Sequence, residues 1–274
     1  MDPQTLFDIE GLRIVVTGGG GVLCGGMARG LAQLGARVAV VDLAEEKAQR
    51  VVGDITAAGG EAFAVACDVT DPASIAGARD AVLRQWGTVD VLLNGAGGNH
   101  PKATTTPDLS FFALAPDAIR QVFDLNFLGT LLPSQAFGEI MARNARGAIV
   151  NIASMNSIRP LTRIPAYSAA KAAVANFTQW LAVYMAQEFG PSIRVNAIAP
   201  GFFITEQTRY LHIDAQTGEY TPRGLQIVSH TPMGRMGNPE DLLSTLVWLI
   251  GPGSCFVTGI VVPVDGGFSA YSGV

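Results

Sequence analysis

Tyr167 and Lys171 form a pair whose residue types and spacing could do acid/base chemistry. They lie four positions apart just after Pro165, a residue favoured in the first turn of a helix, so both side chains are expected on one helix face. A free phenol has a pKa of about 10 and is a poor base at neutral pH. Because a neighbouring ammonium stabilises the phenolate, we predict that Lys171 lowers the pKa of Tyr167.

Ser154 and Asn126 are candidates for the same site. Ser154 follows the apolar run Ala148–Ala153, at the predicted end of a strand, where its hydroxyl can polarise a substrate carbonyl. Asn126 lies in a long helical pattern that Pro133 should distort, because Pro133 cannot donate to the carbonyl of Gly129. A carbonyl freed beside Asn126 would hold a proton-relaying water. Taken singly, the two residues are equally well explained as a strand-end cap and a helix-kink residue.

A glycine-rich turn at residues 18–21 lies between a predicted strand and a predicted helix. Such a turn presents free backbone N–H groups and the positive end of a helix dipole to a diphosphate. A flexible turn without a ligand is the alternative interpretation. The residues predicted to bind the cofactor here are Gly18, Gly20, Gly21, Val22 and Leu23.

Asp42 ends the second predicted strand and is followed by Leu43. A carboxylate there accepts hydrogen bonds from both adenine-ribose hydroxyls, whereas a 2′-phosphate needs a cation, and this turn contains no Arg or Lys. We therefore predict NAD as the cofactor. The alternative is that Asp42 only caps the next helix, whose first turn holds Glu45 and Glu46.

Two later strand ends complete the predicted cofactor cleft. The residues there are Asp68, Val69, Asn94, Ala96 and Gly97, and the small ones let the backbone approach the ligand.

Short β-branched runs alternate with longer Ala- and Leu-rich segments along the chain, which predicts an α/β fold. We expect one domain over residues 1–274: a doubly wound (Rossmann) seven-stranded parallel sheet with helices on both faces. The predicted strands are Arg13–Thr17, Arg37–Asp42, Ala62–Ala66, Val89–Asn94, Ala148–Ala153, Ile193–Ala197 and Val261–Val264. The predicted helices are Val22–Leu34, Ala44–Ala57, Pro72–Trp86, Asp117–Arg143, Ala166–Phe189 and Pro239–Ile250.

Composition narrows the function classes. The 274 residues carry a formal charge of −5, with 49% apolar and 15% charged side chains, which argues against disorder and against nucleic-acid or anionic-membrane binding. Three widely separated cysteines and the lack of a long apolar run predict a cytoplasmic protein. His100, His212 and His230 have no metal-ligand spacing, so no catalytic metal is expected. Of the 18 basic residues, only Lys47, Lys102 and Lys171 are lysines.

The features that point to a family are the glycine turn, Asn94-Gly95-Ala96-Gly97, Asn126, Ser154, the Tyr167 and Lys171 pair, and Pro200-Gly201 with Thr205. Together they resemble the short-chain dehydrogenase/reductase family over nearly the whole chain. The resemblance implies that Tyr167 is the acid/base and that Lys171 holds the nicotinamide ribose. It implies that Ser154 orients the carbonyl and that Asn126 anchors the relay water. It also implies nicotinamide contacts from Pro200, the Phe203 backbone and Thr205.

One departure from the family pattern concerns the glycine turn. Val22 and Cys24 stand where the second and third glycines belong, with Gly21 and Gly25 one position away. This departure predicts that the following helix approaches its strand less closely.

Residues 95–116 and 202–238 fit no regular element and are predicted to be a substrate loop and a lid. The polar and basic side chains expected at the rim are Asn99, His100, Lys102, Asn156, Arg159 and Arg163. They suit a carboxylated substrate, although solvated loop charge explains any one of them equally well. Residues 97–101 and 268–271 resemble the D-mannonate/fructuronate oxidoreductase branch of the family.

That resemblance implies reversible NAD-linked oxidation of a sugar-acid secondary alcohol. A 3-oxoacyl or other hydrophobic carbonyl reductase and a non-catalytic NAD-sensing module are the alternatives. The helix at 166–189 is apolar around most of its circumference, through Phe177, Trp180, Leu181 and Tyr184, which predicts burial against a second copy. Family resemblance implies a dimer of dimers.

Overall fold

The structure is a computed structural model and describes residues 3–205 and 209–273, so part of the predicted lid, residues 206–208, lies outside it. Its centre is a seven-stranded, all-parallel sheet in the order β3-β2-β1-β4-β5-β6-β7. The strands are β1 (Arg13–Thr17), β2 (Arg37–Asp42), β3 (Glu61–Ala66), β4 (Val91–Asn94), β5 (Gly147–Ile152), β6 (Ile193–Pro200) and β7 (Val261–Val264). The order reverses between β1 and β4, where sheets of this kind bind ligands.

Helices cover both faces of the sheet, as predicted. They are α1 (Val22–Gln33), α2 (Glu45–Ala57), α3 (Pro72–Trp86), α4 (Pro116–Phe123), α5 (Gly129–Arg143), α6 (Pro165–Glu188), α7 (Arg209–His212), α8 (Pro222–Ser229) and α9 (Leu243–Ile250). Strand side chains alternate between two cores. Ile14 and Val16 of β1 pack with α1, α2 and α9, whereas Val15 packs with α3, α5 and α6. The fold class predicted from the alternating pattern is confirmed.

The helix predicted over Asp117–Arg143 is interrupted by a π-helical turn, Asp124–Leu128, between α4 and α5. Side-chain hydrogen bonds at Asn126 accompany the extra residue: its Nδ2 donates to the Val122 carbonyl at 2.7 Å, and its own carbonyl accepts from Thr130 Oγ1 at 2.8 Å. Pro133, lacking an N–H, follows inside α5. The distortion predicted near Asn126 is therefore present as a π-bulge.

The two segments predicted as loops contain short regular elements. Residues 95–116 include 3₁₀ turns at Pro101–Ala103 and Phe111–Ala113, and the lid contains α7 and α8 joined across an Ile213–Tyr220 bridge. These elements are too short for sequence periodicity to reveal. Within residues 3–205 and 209–273, no helix combines the length and apolarity that crossing a membrane requires.

Candidate active site

A cavity of about 330 Å³ opens at the carboxyl ends of β1 to β4, beside the N-terminus of α1. Gly18 has a φ of +64°, and a Cβ there would lie 2.8 Å from the backbone of Ala96, so this turn demands glycine. The first turn of α1 carries no acidic side chain and begins after the Gly21 N-cap. This cradle suits a diphosphate, because its N–H groups and dipole favour an anion. The predicted cofactor residues that line it are Gly18, Gly21, Val22, Leu23, Asp42, Leu43, Asp68, Val69, Ala96, Gly97 and Thr205.

Cys24 stands at a family glycine position, and its buried side chain fills the space beside Gly95, where a Cβ would collide with Cys24 Sγ. A Cβ on Gly25 would lie 3.1 Å from the carbonyl oxygen of Gly19, so the backbone approaches closely at Gly25. The looser approach of α1 to its strand, relative to the family, stays a prediction. Burial raises the pKa of the Cys24 thiol to about 12, which keeps it neutral.

Asp42 holds the backbone around it and also faces the cavity. Its Oδ1 accepts from the Ala44 backbone N–H at 3.0 Å and its Oδ2 from that of Gly20 at 3.0 Å, while the carboxylate also lines the cavity. Gly20 therefore holds Asp42 and is not among the residues lining the cavity. Lys47 also lines this end. Lys47 was not among the predicted cofactor residues because it lies in α2 and not in the turn after Asp42. The first turn of the helix places it at the cavity.

Besides Gly20, Tyr167 and Lys171, three more predicted cofactor residues lie elsewhere than on the cavity wall. Asn94 is 1% exposed, and its Nδ2 donates to Ser134 Oγ and Asn151 Oδ1, both at 2.9 Å, beneath α5. Its side chain therefore supports the sheet. Pro200 ends β6, and the Phe203 ring packs in the core near Gly237, so the contacts predicted for these two residues stay predictions.

The four predicted catalytic residues meet at the Gly97 end of the cavity. A Cβ on Gly97 would lie 2.7 Å from Asn126 Oδ1 and 3.2 Å from Lys171 Nζ. Lys171 Nζ lies 5.7 Å from the centre of the Tyr167 ring, and Tyr167 shares a side-chain hydrogen bond with Ser154. Residues from the π turn, β5 and α6 are thus brought together at one point.

Burial sets the protonation of this cluster. It lowers the pKa of Lys171 to about 8, and it raises the pKa of Tyr167, which only the hydrogen bond with Ser154 opposes. Lys171 Nζ instead donates to the Ile152 carbonyl at 2.7 Å. In this structure the hydrogen bond with Ser154 is what opposes the effect of burial on the Tyr167 pKa, and the pKa-lowering role of Lys171 stays a prediction.

Asn156 fixes the direction in which the Ser154 hydroxyl donates its hydrogen bond. Its backbone N–H and its Nδ2 both donate to Ser154 Oγ at 3.2 Å, filling the two acceptor positions of that hydroxyl. The Ser154 proton is then available to donate toward Tyr167 or a substrate oxygen. Asn156 Oδ1 in turn accepts from Leu161 N at 3.0 Å and Ser168 Oγ at 3.1 Å. Asn156 is buried and acts through Ser154, so its predicted place on the exposed rim is wrong.

Asn126 is anchored on both sides. Its Nδ2 donates to the Gly98 carbonyl at 2.7 Å, and its Oδ1 accepts from Gly98 N at 3.2 Å. The carbonyl of Asn126 itself accepts the hydroxyl of Thr130. A freed carbonyl beside Asn126 that holds a relay water stays a prediction.

The other predicted substrate residues are dispersed. Asn99 Nδ2 donates to Thr104 at 2.8 Å, and His100 Nδ1 accepts from the backbone of the exposed Lys102 at 3.1 Å. Arg159 Nη1 donates to the Tyr271 carbonyl at 2.9 Å. Arg163 lines a second cavity, of about 560 Å³, between the segment before α6 and the lid.

Comparisons with known proteins agree with this geometry. A family model described as enoyl-(acyl carrier protein) reductase matches residues 23–269. An uncharacterized oxidoreductase of Bacillus subtilis is 50% identical, over 97% of this chain and 98% of that protein. A solved structure from Haemophilus influenza, provisionally named a D-mannonate oxidoreductase, has NAD bound; it is 46% identical, with a TM-score of 0.91 over 97% of this chain and 98% of that one. A gluconate 5-dehydrogenase from Burkholderia cenocepacia, in complex with NADP and tartrate, is 30% identical, with a TM-score of 0.87 over 98% of this chain and 100% of that one.

Proposed function

This chain belongs to the short-chain dehydrogenase/reductase family, and on that premise we propose that it oxidises a secondary alcohol of a sugar acid, of the D-mannonate/D-fructuronate type, with NAD. The chain is an NAD(P)-dependent oxidoreductase. One observation carries the proposal: the cluster of Asn126, Ser154, Tyr167 and Lys171 at the end of the cavity that Asp42 and the glycine turn also line.

The residues of the cluster divide the proton chemistry. A nicotinamide dinucleotide, when bound, supplies the hydride acceptor or donor. Ser154 donates a hydrogen bond to the substrate oxygen, and Tyr167 accepts its proton during oxidation or returns it during reduction. Lys171 Nζ, held by the Ile152 carbonyl, lies beside Gly97 at the end of the cavity, where it would hold the nicotinamide ribose. Asn126 holds the Gly98 backbone at the cavity wall.

Asp42 supports NAD over NADP. A carboxylate pairs with ribose hydroxyls and repels a 2′-phosphate. Two relatives differ in the cofactor bound: NAD in the protein provisionally named a D-mannonate oxidoreductase and NADP in the gluconate 5-dehydrogenase. Because Lys47 also lines the cavity beside Asp42, its positive charge weakens the preference for NAD over NADP.

A 3-oxoacyl or other hydrophobic carbonyl reductase is the second candidate, and the family description favours it. An apolar groove from which Arg159 and Arg163 turn away would suit such a substrate. Arg159 does turn to the Tyr271 carbonyl, but Arg163 lines the cavity beside the lid. The sugar acid therefore has the better physical support.

Turnover of a substrate panel tests the proposal. We expect NAD-dependent oxidation of D-mannonate or D-gluconate, with D-mannitol and long-chain 3-hydroxyacyl esters as poor substrates. Turnover confined to uncharged or hydrophobic alcohols would contradict it. Tyr167→Phe should abolish turnover while NADH binding, followed by fluorescence, is retained; activity close to that of the wild type would remove Tyr167 from the acid/base role.

We also propose that the chain forms a homo-oligomer, a dimer of dimers. Trp180 is 59% and Tyr184 42% exposed on α6, and their rings stack at 5.0 Å, forming an apolar surface with α5. Burying such a surface against a second copy removes it from water. The three cysteines are free, as suits the cytoplasm that we propose as the compartment.

A further inference from the structure

The cavity beside the lid has a basic and aromatic wall. We call it the basic cavity; Arg163 contributes from the segment before α6, and Arg223 contributes from α8. Gln226 and His230 add polar groups. Its volume, about 560 Å³, lies within the range of small-molecule sites.

Among the described residues, no carboxylate pairs with the two arginines of the basic cavity. Eight of the arginines form ion pairs with carboxylates in the described part of the chain, but Arg163 and Arg223 do not. The described residues that line the cavity include no Asp or Glu. Two guanidinium groups that line one cavity with no carboxylate among its described residues, in a chain whose net charge is −5, mark a site for an anion.

The basic cavity adjoins the catalytic cluster through the chain itself. Its wall includes Leu161 and Ile164, and Ile164 is the N-cap of α6, three residues before Tyr167. Leu161 N donates to Asn156 Oδ1, and Asn156 holds Ser154. The wall of the basic cavity is therefore joined to the catalytic cluster by three residues of chain and by the Leu161–Asn156 hydrogen bond.

Aromatic rings give the cavity a second recognition surface. Phe202 and Phe268 line it, with ring centres 5.1 Å apart, and the His230 ring packs 4.8 Å from Phe268 and 5.1 Å from Tyr271. Apolar ring faces pack against the C–H groups of a carbon chain while the cations bind its charged end.

We propose that Arg163 and Arg223 form a carboxylate clamp that binds the acid end of the substrate. Arg163 lies next to α6, and Arg223 lies in the lid. This inference rests on the proposed function and deepens it, since it assigns the substrate carboxylate to named residues. Guanidinium groups pair with carboxylates through two parallel hydrogen bonds, which fixes orientation as well as charge.

Arg163→Gln and Arg223→Gln test the clamp, with Arg209→Gln as the matched control. Arg209 is an exposed lid arginine that is not among the residues lining the basic cavity, so it loses the same charge in the same segment. We expect each cavity variant to raise the KM for D-mannonate by about 10- to 100-fold, with kcat and the KM for NAD changed less than about threefold. Arg209→Gln should keep the wild-type KM.

A direct binding measurement separates the clamp from the choice of substrate. Titration of tartrate into the wild-type enzyme with NADH, by calorimetry, should show binding that Arg163→Gln and Arg223→Gln weaken and Arg209→Gln preserves. Equal tartrate affinity in all four proteins overturns the clamp. If tartrate binding follows the clamp but the wild type oxidises no sugar acid, the proposed substrate fails while the carboxylate site stands.

Discussion

Replacing Asn156 by alanine removes three side-chain hydrogen bonds from a residue that is 6% exposed, those with Ser154, Leu161 and Ser168. At about 1 kcal/mol net for each bond, the free energy of unfolding should fall by about 3 kcal/mol. For a chain of this size we expect the Tm to fall by about 6 to 12 °C. Scanning fluorimetry would measure that fall.

The catalytic consequence of Asn156→Ala follows from the one bond made to Ser154. The Asn156 backbone N–H still donates to Ser154 Oγ, so one of the two hydrogen bonds that orient Ser154 remains. Loss of one bond worth about 0.5 to 1.5 kcal/mol in the transition state should lower kcat by about 2- to 12-fold. Weaker donation from Ser154 also raises the Tyr167 pKa further. Because oxidation needs the phenolate, the rising limb of its pH–rate profile should move to higher pH.

Ser168→Ala is the matched control for Asn156→Ala. It removes a single bond to Asn156 Oδ1 and leaves both bonds to Ser154 in place. We expect a small fall in Tm, with kcat and the pH–rate profile of the wild type. If Asn156→Ala lowers the Tm but keeps wild-type kcat and pH dependence, the positioning role is refuted and Asn156 is only structural.

Three further expectations concern the cofactor, pH and assembly. Asp42→Ala should raise the ratio of kcat/KM for NADP over NAD by about tenfold or more, and Lys47→Gln in that background should reverse the gain; an unchanged ratio would remove Asp42 from cofactor selection. Burial alone would raise the pKa of Asp90, but the hydrogen bonds and charge of Arg13 outweigh it and lower that pKa, so its stabilisation is present above about pH 4 and lost as the pH falls below. The Tm gap between wild type and Asp90→Asn should therefore narrow in acid, and a gap independent of pH would contradict this. Trp180→Glu should dissociate the oligomer in light scattering, and an unchanged mass would place the interface elsewhere.

The prediction was correct for elements whose residues follow a regular apolar pattern. Buried parallel strands are continuous apolar runs, as at Arg37–Asp42, and their ends locate the cleft because all the carboxyl ends share one edge. The π turn at Asn126 was foreseeable because Pro133 cannot donate a hydrogen bond.

Other residues were beyond sequence reasoning for physical reasons. Asn94 was assigned to the cofactor, yet it shares the β4 face of Leu92 and so lies beneath α5; the phase of a strand is known only once its helices are placed. Arg223 joins Arg163 only because α8 folds over the segment before α6, and an eight-residue helix leaves little periodicity to detect. The sequence shows that Asn156 is polar and follows a strand, and neither fact predicts whether its side chain is buried.

The π turn makes the length of residues 124–128 as constrained as their identity. Deleting one residue there would allow a continuous α-helix from Pro116 to Arg143, but it would rotate α4 relative to α5 by about 100°. Either the core side chains of α5 or the Asn126 contacts with Gly98 would then be lost. Insertions and deletions in this segment should therefore be selected against more strongly than substitutions, and its length would identify active relatives even where the residues differ.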